Sequence, residues 1–194
     1  MKVIGLTGGI GTGKSTVSNI LKEKGLYILD ADMMSRDMTK PGGEALSEIR
    51  KHFSDSCFFE DGSLNRKALS SIVFSDKTKL EELEKITTDA VVKKIKDIIK
   101  NLEKEDFSGP VIIDAPLLIE CNVHTECDEI WLVTADLKER IKRVVARDNT
   151  DEESVLKRIN NQLSDEDKKK YATHIIDNSK DLDYLEAQID KLLI

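Results

Sequence analysis

Residues 8–15 read Gly8-Gly9-Ile10-Gly11-Thr12-Gly13-Lys14-Ser15, which matches the phosphate-binding pattern G-x-x-x-x-G-K-[ST], and Thr16 follows directly. Glycines allow successive backbone N–H groups to turn towards one point, so that such a loop forms a concave nest for phosphate oxygens. A helix that begins at the nest adds the positive end of its dipole. The stretch therefore predicts a P-loop that surrounds the phosphates of a nucleoside triphosphate with Gly11, Thr12, Gly13, Lys14, Ser15 and Thr16.

The flanking segments place this loop between a strand and a helix. Val3-Ile4-Gly5-Leu6 is a short apolar run typical of a buried strand, and apolar residues recur at helical spacing from Ser15 onward. Gly25 marks the end of this helix, and Tyr27-Ile28-Leu29 is a second apolar run. A strand, a helix and a strand within about 30 residues predict a parallel βαβ unit.

Three further apolar runs extend the predicted sheet. Val111-Ile112-Ile113-Asp114 and Ile130-Trp131-Leu132-Val133 are continuous, as expected of strands covered on both faces, and His174-Ile175-Ile176-Asp177 is a weaker fifth strand. The alternation of strands and helices indicates an α/β protein. We expect a P-loop kinase fold, in which a five-stranded parallel sheet is flanked by helices and carries inserted helical acceptor and lid subdomains.

Two long helical stretches interrupt the predicted core. Residues 32–108 separate the second strand from the third, and this stretch is too long for a loop. We therefore expect an inserted helical subdomain that binds the molecule accepting the phosphoryl group. Residues 136–172 are helical and strongly charged, which suits a mobile basic lid. The nucleotide-binding core then consists of residues 1–31, 109–135 and 173–194.

The first of these stretches contains an amphipathic pattern. Between Leu80 and Leu102 the apolar residues lie three to five positions apart, as on one face of a helix. Thr87, Thr88 and Asp89 interrupt the pattern with polar residues of the kind that cap helices. They are therefore candidates to cap a second helix at that point.

Charge and composition restrict the expected partners. The chain has 30 Lys and Arg against 37 Asp and Glu, which gives a formal net charge of −7. This charge argues against extensive electrostatic binding to nucleic acid or to an anionic membrane. No stretch approaches the roughly 18 apolar residues of a membrane span, and the first residues lack the apolar core of a signal peptide. The three cysteines have no framework spacing, which suggests a reducing compartment. We therefore expect a cytoplasmic protein that acts on small molecules.

Two aspartates follow predicted strands at the edge of the sheet where ligands of open parallel sheets bind. Asp32 is the last residue of the tripeptide Asp30-Ala31-Asp32, which follows the second strand. We expect Asp32 to accept or orient the proton of an attacking hydroxyl, and Asp30 to cap the next helix. Asp114 ends the third strand, and we expect it to hold Mg²⁺ together with Ser15. The alternative is that Asp114 only caps the turn before Pro116.

Basic residues complete the predicted site. Lys14 is placed to reach the β- and γ-phosphates of the nucleotide. Arg140, Arg143 and Arg147 lie three and four residues apart, hence on one face of a helix, and guanidinium groups match phosphate oxygens. We expect Arg143, with Arg140 or Arg147, to close over the transferring phosphoryl group, and Arg147 to take part in binding ATP. For at least one of the three, a solvated and salt-bridged helix face is the alternative.

The P-loop alone does not identify the acceptor. No D-x-x-G follows the third strand and no N-K-x-D occurs, which argues against a GTPase. A chain of 194 residues also leaves little room for the core of an AAA-type or recombinase-type motor. The patterns favour a nucleotide or small-molecule kinase, and a module that binds ATP without turning it over is the alternative.

Several motifs, taken in order, resemble those of the dephospho-CoA kinase family. The opening residues 4–16, Asp30-Ala31-Asp32 and Asp114-Ala115-Pro116-Leu117-Leu118-Ile119-Glu120 are similar to three of the family's motifs. They are followed by Arg143 through Arg147-Asp148, by Arg158-Ile159-Asn160-Asn161-Gln162 and by Ile176-Asp177-Asn178. The chain departs from the family at Thr87-Thr88-Asp89, where members usually have His-Pro in the middle helices of the acceptor domain.

The resemblance implies an activity and a set of ligands. It implies ATP-dependent phosphorylation of the ribose 3′-hydroxyl of dephospho-CoA, which gives coenzyme A and ADP in the last step of coenzyme A synthesis. It also implies a nucleotide-binding core, a helical acceptor domain and a lid, and it favours ATP over GTP as the phosphoryl donor. Asp32 is then expected to face the 3′-hydroxyl of the acceptor.

Overall fold

The computed structural model describes residues 1–193, and these contain five strands that form one all-parallel sheet. The strands lie in the order β2-β3-β1-β4-β5. Their bounds are β1 Val3–Gly8, β2 Tyr27–Asp30, β3 Val111–Asp114, β4 Glu129–Thr134 and β5 His174–Asp177. The predicted fold class is therefore confirmed, and all five predicted strands are present, three of them longer by one or two residues than the apolar runs suggested.

The central strand β1 brings the functional loops to the same edge of the sheet. It pairs with β3 on one side, with Leu6 opposite Asp114, and with β4 on the other, with Gly8 opposite Val133. Because all strands are parallel, the loop that leaves β1 and the loop that leaves β3 begin side by side. This edge is the ligand-binding edge of open α/β sheets.

The apolar core explains why the central strands read as continuous hydrophobic runs. Every residue of β1 and β3 is buried, because helices cover both faces of the sheet there. One buried cluster joins the sheet to the first and last helices of the chain, and it consists of Ile4, Leu6, Val17, Ile20, Leu21, Ile112, Trp131, Val133, Ile176, Leu185 and Ile189. The helices that carry these residues are α1 (Lys14–Glu23) and α9 (Leu182–Leu192).

The chain forms two compact units. The first comprises Met1–Leu29 together with residues 107–193. It contains the sheet, α1, α9 and the helices of the charged stretch, which are α6 (Leu137–Asp148), α7 (Glu152–Asn160) and α8 (Asp165–Lys169). The residues expected to form a lid, 136–172, thus lie within the first unit. A short 3₁₀ helix also belongs to it, at Val123–Glu126.

The second unit, Asp30–Asp106, is helical. It contains α2 (Ala31–Met38), α3 (Glu44–His52), α4 (Arg66–Ser75) and α5 (Lys77–Lys104), with a short 3₁₀ helix at Asp55–Cys57. The other three helices all pack against α5, whose 28 residues span about 42 Å. The Asp76 side chain caps α5 by accepting hydrogen bonds from the backbone N–H groups of Thr78 and Lys79.

The predicted break within this stretch does not occur. Helix α5 passes through Thr87, Thr88 and Asp89 without interruption, so the expectation that these residues cap a second helix is wrong. The Thr87 hydroxyl donates to the backbone oxygens of Leu83 and Glu84, at 2.9 and 3.0 Å, and so satisfies itself within the helix. The chain also lacks a proline here, and without one nothing removes a backbone hydrogen bond or forces a kink.

Within residues 1–193, no helix is both long and apolar enough to cross a membrane.

Candidate active site

The glycine-rich loop joins β1 to α1, and its conformation requires glycine at two positions. Gly11 and Gly13 have φ angles of 79° and 85°, in the left-handed region. A Cβ atom on Gly11 would stand 2.6 Å from the backbone oxygen of Arg140. A Cβ atom on Gly13 would overlap the side-chain amide of Asn178. Both backbone conformation and space therefore exclude other residues from these two positions.

Thr12 supports the loop from inside. Its side chain is buried, and its hydroxyl donates to the Gly9 backbone oxygen at 2.9 Å. Its backbone oxygen accepts a hydrogen bond of 2.8 Å from the side-chain nitrogen of Asn178, which follows β5. The Thr12 side chain thus shapes the loop instead of facing a ligand.

The peptide groups of Ile10 are fixed by residues distant in the sequence. Its N–H donates to the Gln162 side-chain oxygen at 2.8 Å, and its C=O accepts from Arg140 Nε at 2.9 Å. Arg140 is 6% exposed, and its Nη1 also donates to Asp165 at 2.9 Å. The sequence grouped Arg140 with two lid arginines, whereas the structure shows that it braces the phosphate-binding loop.

The first turn of α1 is open to a phosphate group. Its N-cap residue, Gly13, makes no side-chain hydrogen bond to it, and the turn contains no acidic residue. Ser15 and Thr16 lie in this turn and are exposed. The unsatisfied N–H groups and the positive end of the helix dipole therefore face the nest formed by the glycines.

Lys14 and Asp114 form an ion pair at the carboxyl edge of the sheet. The Lys14 side chain is 17% exposed and that of Asp114 is 8% exposed, so the pair is largely withdrawn from water. The sequence placed both residues at this edge from two separate motifs, and the structure brings them into contact. The Asp114 carboxylate accepts a hydrogen bond from the Lys14 ammonium group.

The oxygen donors of Asp114 and Ser15 suit a hard cation that takes only part of its ligands from the protein. Residues 1–193 contain no group of three or more His, Cys, Asp or Glu side chains able to hold a metal ion on their own. The Asp114 carboxylate and the Ser15 hydroxyl supply two oxygen donors of the kind that Mg²⁺ prefers. In sites that bind nucleotides, Mg²⁺ takes its remaining ligands from water and phosphate oxygens.

The arginines of α6 have different surroundings. Arg143 is partly buried, and its Nη2 donates to the Asn178 backbone oxygen at 2.9 Å. Its Nη1 is buried and has no hydrogen-bond partner within the described chain. A Cβ atom on Gly13 would lie 3.7 Å from that nitrogen, so Arg143 directs an unused donor towards the phosphate-binding loop.

Arg147 is exposed and is held by a neighbouring carboxylate. Asp148 accepts hydrogen bonds from Arg147 Nε at 2.7 Å and from Arg158 Nη1 at 2.6 Å. The two guanidinium groups lower the pKa of Asp148 to about 2. Arg147 therefore belongs to a surface salt-bridge cluster that joins α6 to α7, whereas Arg143 is the arginine of this helix that directs an unbonded donor towards the loop.

In the second unit, the two aspartates that follow β2 differ in role. Asp30 is the N-cap of α2, and its carboxylate accepts from the Met33 backbone N–H at 2.8 Å. Asp32 lies in the first turn of α2, is exposed, and adds a negative charge near the positive end of that helix. The structure thus gives Asp30 the capping role.

Sequence reasoning did not assign roles to the side chains that brace the loop. Gln162 and Asn178 were noted only as parts of larger motifs, and Asp165 was not singled out. A signal was available for Asn178, because it directly follows β5 at the ligand-binding edge, where Asp114 ends β3. The contacts of Gln162 and Asp165 join segments more than 20 residues apart, which no local pattern reveals.

Replacing Asn178 with Ala is expected to weaken both the fold and nucleotide binding. The change removes the hydrogen bond to Thr12 and leaves a buried carbonyl unsatisfied, so the free energy of unfolding should fall by about 1–3 kcal/mol. The KM for ATP should rise, because the loop loses its support. Urea denaturation and steady-state kinetics measure the two effects. Asn101→Ala, an exposed site on α5, is the control, and an Asn178→Ala variant with unaltered stability and KM would contradict the bracing role.

Comparison with known proteins agrees with this geometry. A protein-family model described as dephospho-CoA kinase matches residues 2–183. A dephospho-CoA kinase from Carboxydothermus hydrogenoformans is 39% identical over 193 residues, which cover 100% of this chain and 93% of that protein. Among solved structures, a protein from Thermus thermophilus is 33% identical with a TM-score of 0.80, and a dephospho-CoA kinase from Campylobacter jejuni is 25% identical with a TM-score of 0.73. Both similarities cover 99% of this chain and 96% of the other.

The fold combines a parallel sheet of this strand order with a phosphate-binding loop after the central strand and a lysine–aspartate pair beside that loop. Together with the similarities above, these features define a P-loop kinase, which is an ATP-dependent phosphotransferase. Within that class the match extends over almost the whole length of the chain. The chain belongs to the dephospho-CoA kinase family.

Proposed function

We propose that this protein transfers the γ-phosphoryl group of ATP to the ribose 3′-hydroxyl of dephospho-CoA and releases coenzyme A and ADP. The observation that carries the proposal is the family match over residues 2–183 together with an intact phosphate-binding loop. The hydroxyl oxygen forms the new bond to phosphorus, the bond between phosphorus and the β–γ bridging oxygen breaks, and the hydroxyl proton leaves to a base. We also assign the reaction to the cytoplasm, which the three free cysteines support.

The donor side of the reaction is assigned to the P-loop. Backbone N–H groups of the loop and the first turn of α1 surround the phosphates, along Gly11, Thr12, Gly13, Lys14, Ser15 and Thr16. Lys14 exchanges its partner Asp114 for the β- and γ-phosphate oxygens when ATP binds. Ser15 and Asp114 would hold Mg²⁺, which when bound neutralises charge on the phosphate oxygens.

The transferring group is assigned to Arg143. Its buried and unpartnered Nη1 is a donor that a phosphate oxygen can satisfy, and a guanidinium placed there offsets negative charge in the transition state. Arg140 is already engaged by Ile10 and Asp165, so it supports the loop. Arg147 would reach ATP only if it left Asp148, and the residues 136–172 would then act as the lid that excludes water.

The acceptor side is assigned to the helical stretch, residues 32–108. Asp32 would accept or orient the proton of the 3′-hydroxyl, and this assignment is supported by its position two residues after the carboxyl end of β2, at the start of a helix, and by its exposure to solvent. The core of the enzyme is residues 1–31, 109–135 and 173–194.

An assay of ADP formation with several acceptors tests the proposal. The purified protein, ATP and Mg²⁺ are combined with dephospho-CoA, with nucleoside monophosphates or with shikimate, and the product is identified by mass. Among these acceptors, we expect only dephospho-CoA to be phosphorylated, and we expect its product to be heavier by one phosphoryl group on the ribose. Turnover with another acceptor would favour a different small-molecule kinase. Binding of ATP without transfer to any acceptor would favour a nucleotide-binding module.

A further inference from the structure

Helix α8 carries a lysine that is withdrawn from solvent. The side chain of Lys168 is 0% exposed, and lysine is almost never fully buried unless it is paired. Its Nζ lies 2.7 Å from Glu120 Oε1 and donates to the Pro116 backbone oxygen at 3.1 Å. The neighbouring Lys169 is exposed and pairs with Glu166 on the surface, so burial is a property of this one position of the helix.

The two partners of Lys168 belong to the loop that begins at Asp114. Pro116 follows Asp114 by two residues, and its backbone oxygen also accepts a hydrogen bond of 3.2 Å from the hydroxyl of Thr7 in β1. The Ala115 N–H donates to the Leu6 backbone oxygen at 3.0 Å. The start of this loop is thus held by β1 on one side and by Lys168 on the other.

The segment around Lys168 is also tied to the phosphate-binding loop. Glu120 accepts from the Leu163 N–H at 3.3 Å, and the adjacent Gln162 holds the N–H of Ile10. Asp165, at the start of α8, holds Arg140, which in turn holds the C=O of Ile10. Residues 162–168 therefore contact both loops whose side chains, Lys14 and Asp114, meet at the sheet edge.

We propose that Lys168 is a positioning residue that fixes Asp114 in the phosphate site by holding the Pro116 carbonyl and the Glu120 carboxylate. The proposal rests on the function proposed above, in which Asp114 is a magnesium ligand. Removing a group that orients a metal ligand lowers activity or metal affinity by about 10–100-fold in other metal sites. The Lys168 side chain is closed off from solvent, so we place its effect in the loop and not in contact with a substrate.

The test compares Lys168→Met with Lys169→Met, which removes the charge one position further along the same helix. For Lys168→Met we expect kcat with ATP and dephospho-CoA to fall about 10–100-fold, with KM for dephospho-CoA unchanged. Hydrogen exchange of the amides of Ala115 and of residues 117–120 should become faster, while that of α9 stays as in the wild type. Lys169→Met should match the wild type in all of these measurements.

A second variant separates positioning from the effect of a stranded charge. Lys168→Met alone leaves Glu120 without its cation, so the protein is also prepared as Glu120→Gln/Lys168→Met, which has no unpaired charge and keeps an oxygen for the Leu163 N–H. The double variant still lacks a donor to Pro116, and we expect the same loss of kcat and the same local increase in exchange. Wild-type kcat in the double variant would overturn the proposal, as would wild-type exchange at Ala115 and residues 117–120 in Lys168→Met.

The outcomes also distinguish this proposal from the proposed function. If the wild-type protein does not phosphorylate dephospho-CoA, the proposed function fails. Hydrogen exchange in the two variants, measured with and without ADP and Mg²⁺, then still decides whether Lys168 holds the loop.

Discussion

Replacement of Asp32 by Asn is expected to lower kcat by about 10²–10⁴-fold while ATP still binds. The amide is similar in shape to the carboxylate but cannot take a proton from the 3′-hydroxyl. Because the substitution leaves every residue assigned to the phosphates in place, the nucleotide contacts should be retained. Steady-state kinetics with dephospho-CoA and a separate titration with ATP measure the two properties.

The chain provides two controls for this experiment. Asp30→Asn changes the neighbouring aspartate in the same way, but asparagine caps helices about as well as aspartate, so α2 and the activity should be retained. Asp37→Asn removes an exposed charge from the same helix, where Asp37 forms a surface ion pair with Lys40. A near-wild-type kcat in Asp32→Asn, or an equal loss in Asp30→Asn, would remove Asp32 from the proposed mechanism.

Local sequence patterns were sufficient to predict the sheet and the phosphate-binding loop. The central strands are apolar throughout because both of their faces are covered, and the glycines of the loop are required by positive φ angles and close contacts. The capping role of Asp30 was also accessible, since an aspartate between a strand and a helix is a typical N-cap, whereas the role of Asp32 stays a prediction. These features depend on neighbours along the chain.

The features that sequence reasoning missed depend on contacts between distant segments. Arg140, Arg143 and Arg147 share one spacing and one helix, yet one braces Ile10, one faces Asn178 and one pairs with Asp148. Their partners lie between 1 and 130 positions away, so spacing alone could not distinguish them. The burial of Lys168 is another example, because it follows from a loop that begins more than 50 residues earlier.

Helix α5 shows the opposite error, in which a local pattern suggested a feature that is absent. Three consecutive polar residues were treated as a possible helix start, although threonine can bond to the carbonyl of the preceding turn and remain within a helix. Packing against three other helices then favours one continuous helix over two short ones. Tertiary contacts outweighed a capping preference that is typically worth about 1 kcal/mol.

Replacement of Lys14 by Ala is expected to reduce kcat/KM for ATP by about 10²–10³-fold, the loss found when one preorganised donor to a developing negative charge is removed. The substitution also leaves the Asp114 carboxylate, which is 8% exposed, without its cation, so the protein should unfold at a lower temperature. Activity and thermal unfolding are measured on the same samples, because a loss of folded protein would otherwise resemble a loss of catalysis.

Lys14→Arg separates these two effects. Arginine keeps a positive charge for Asp114, so most of the stability lost in Lys14→Ala should return. Its wider, planar guanidinium does not reproduce the single ammonium contact with the phosphates, so kcat/KM should stay low. Lys22→Ala, an exposed position in the last turn of α1, should leave both properties unchanged. An unaltered kcat/KM in Lys14→Ala would contradict the phosphate contact, since the loop would then act through its backbone N–H groups alone.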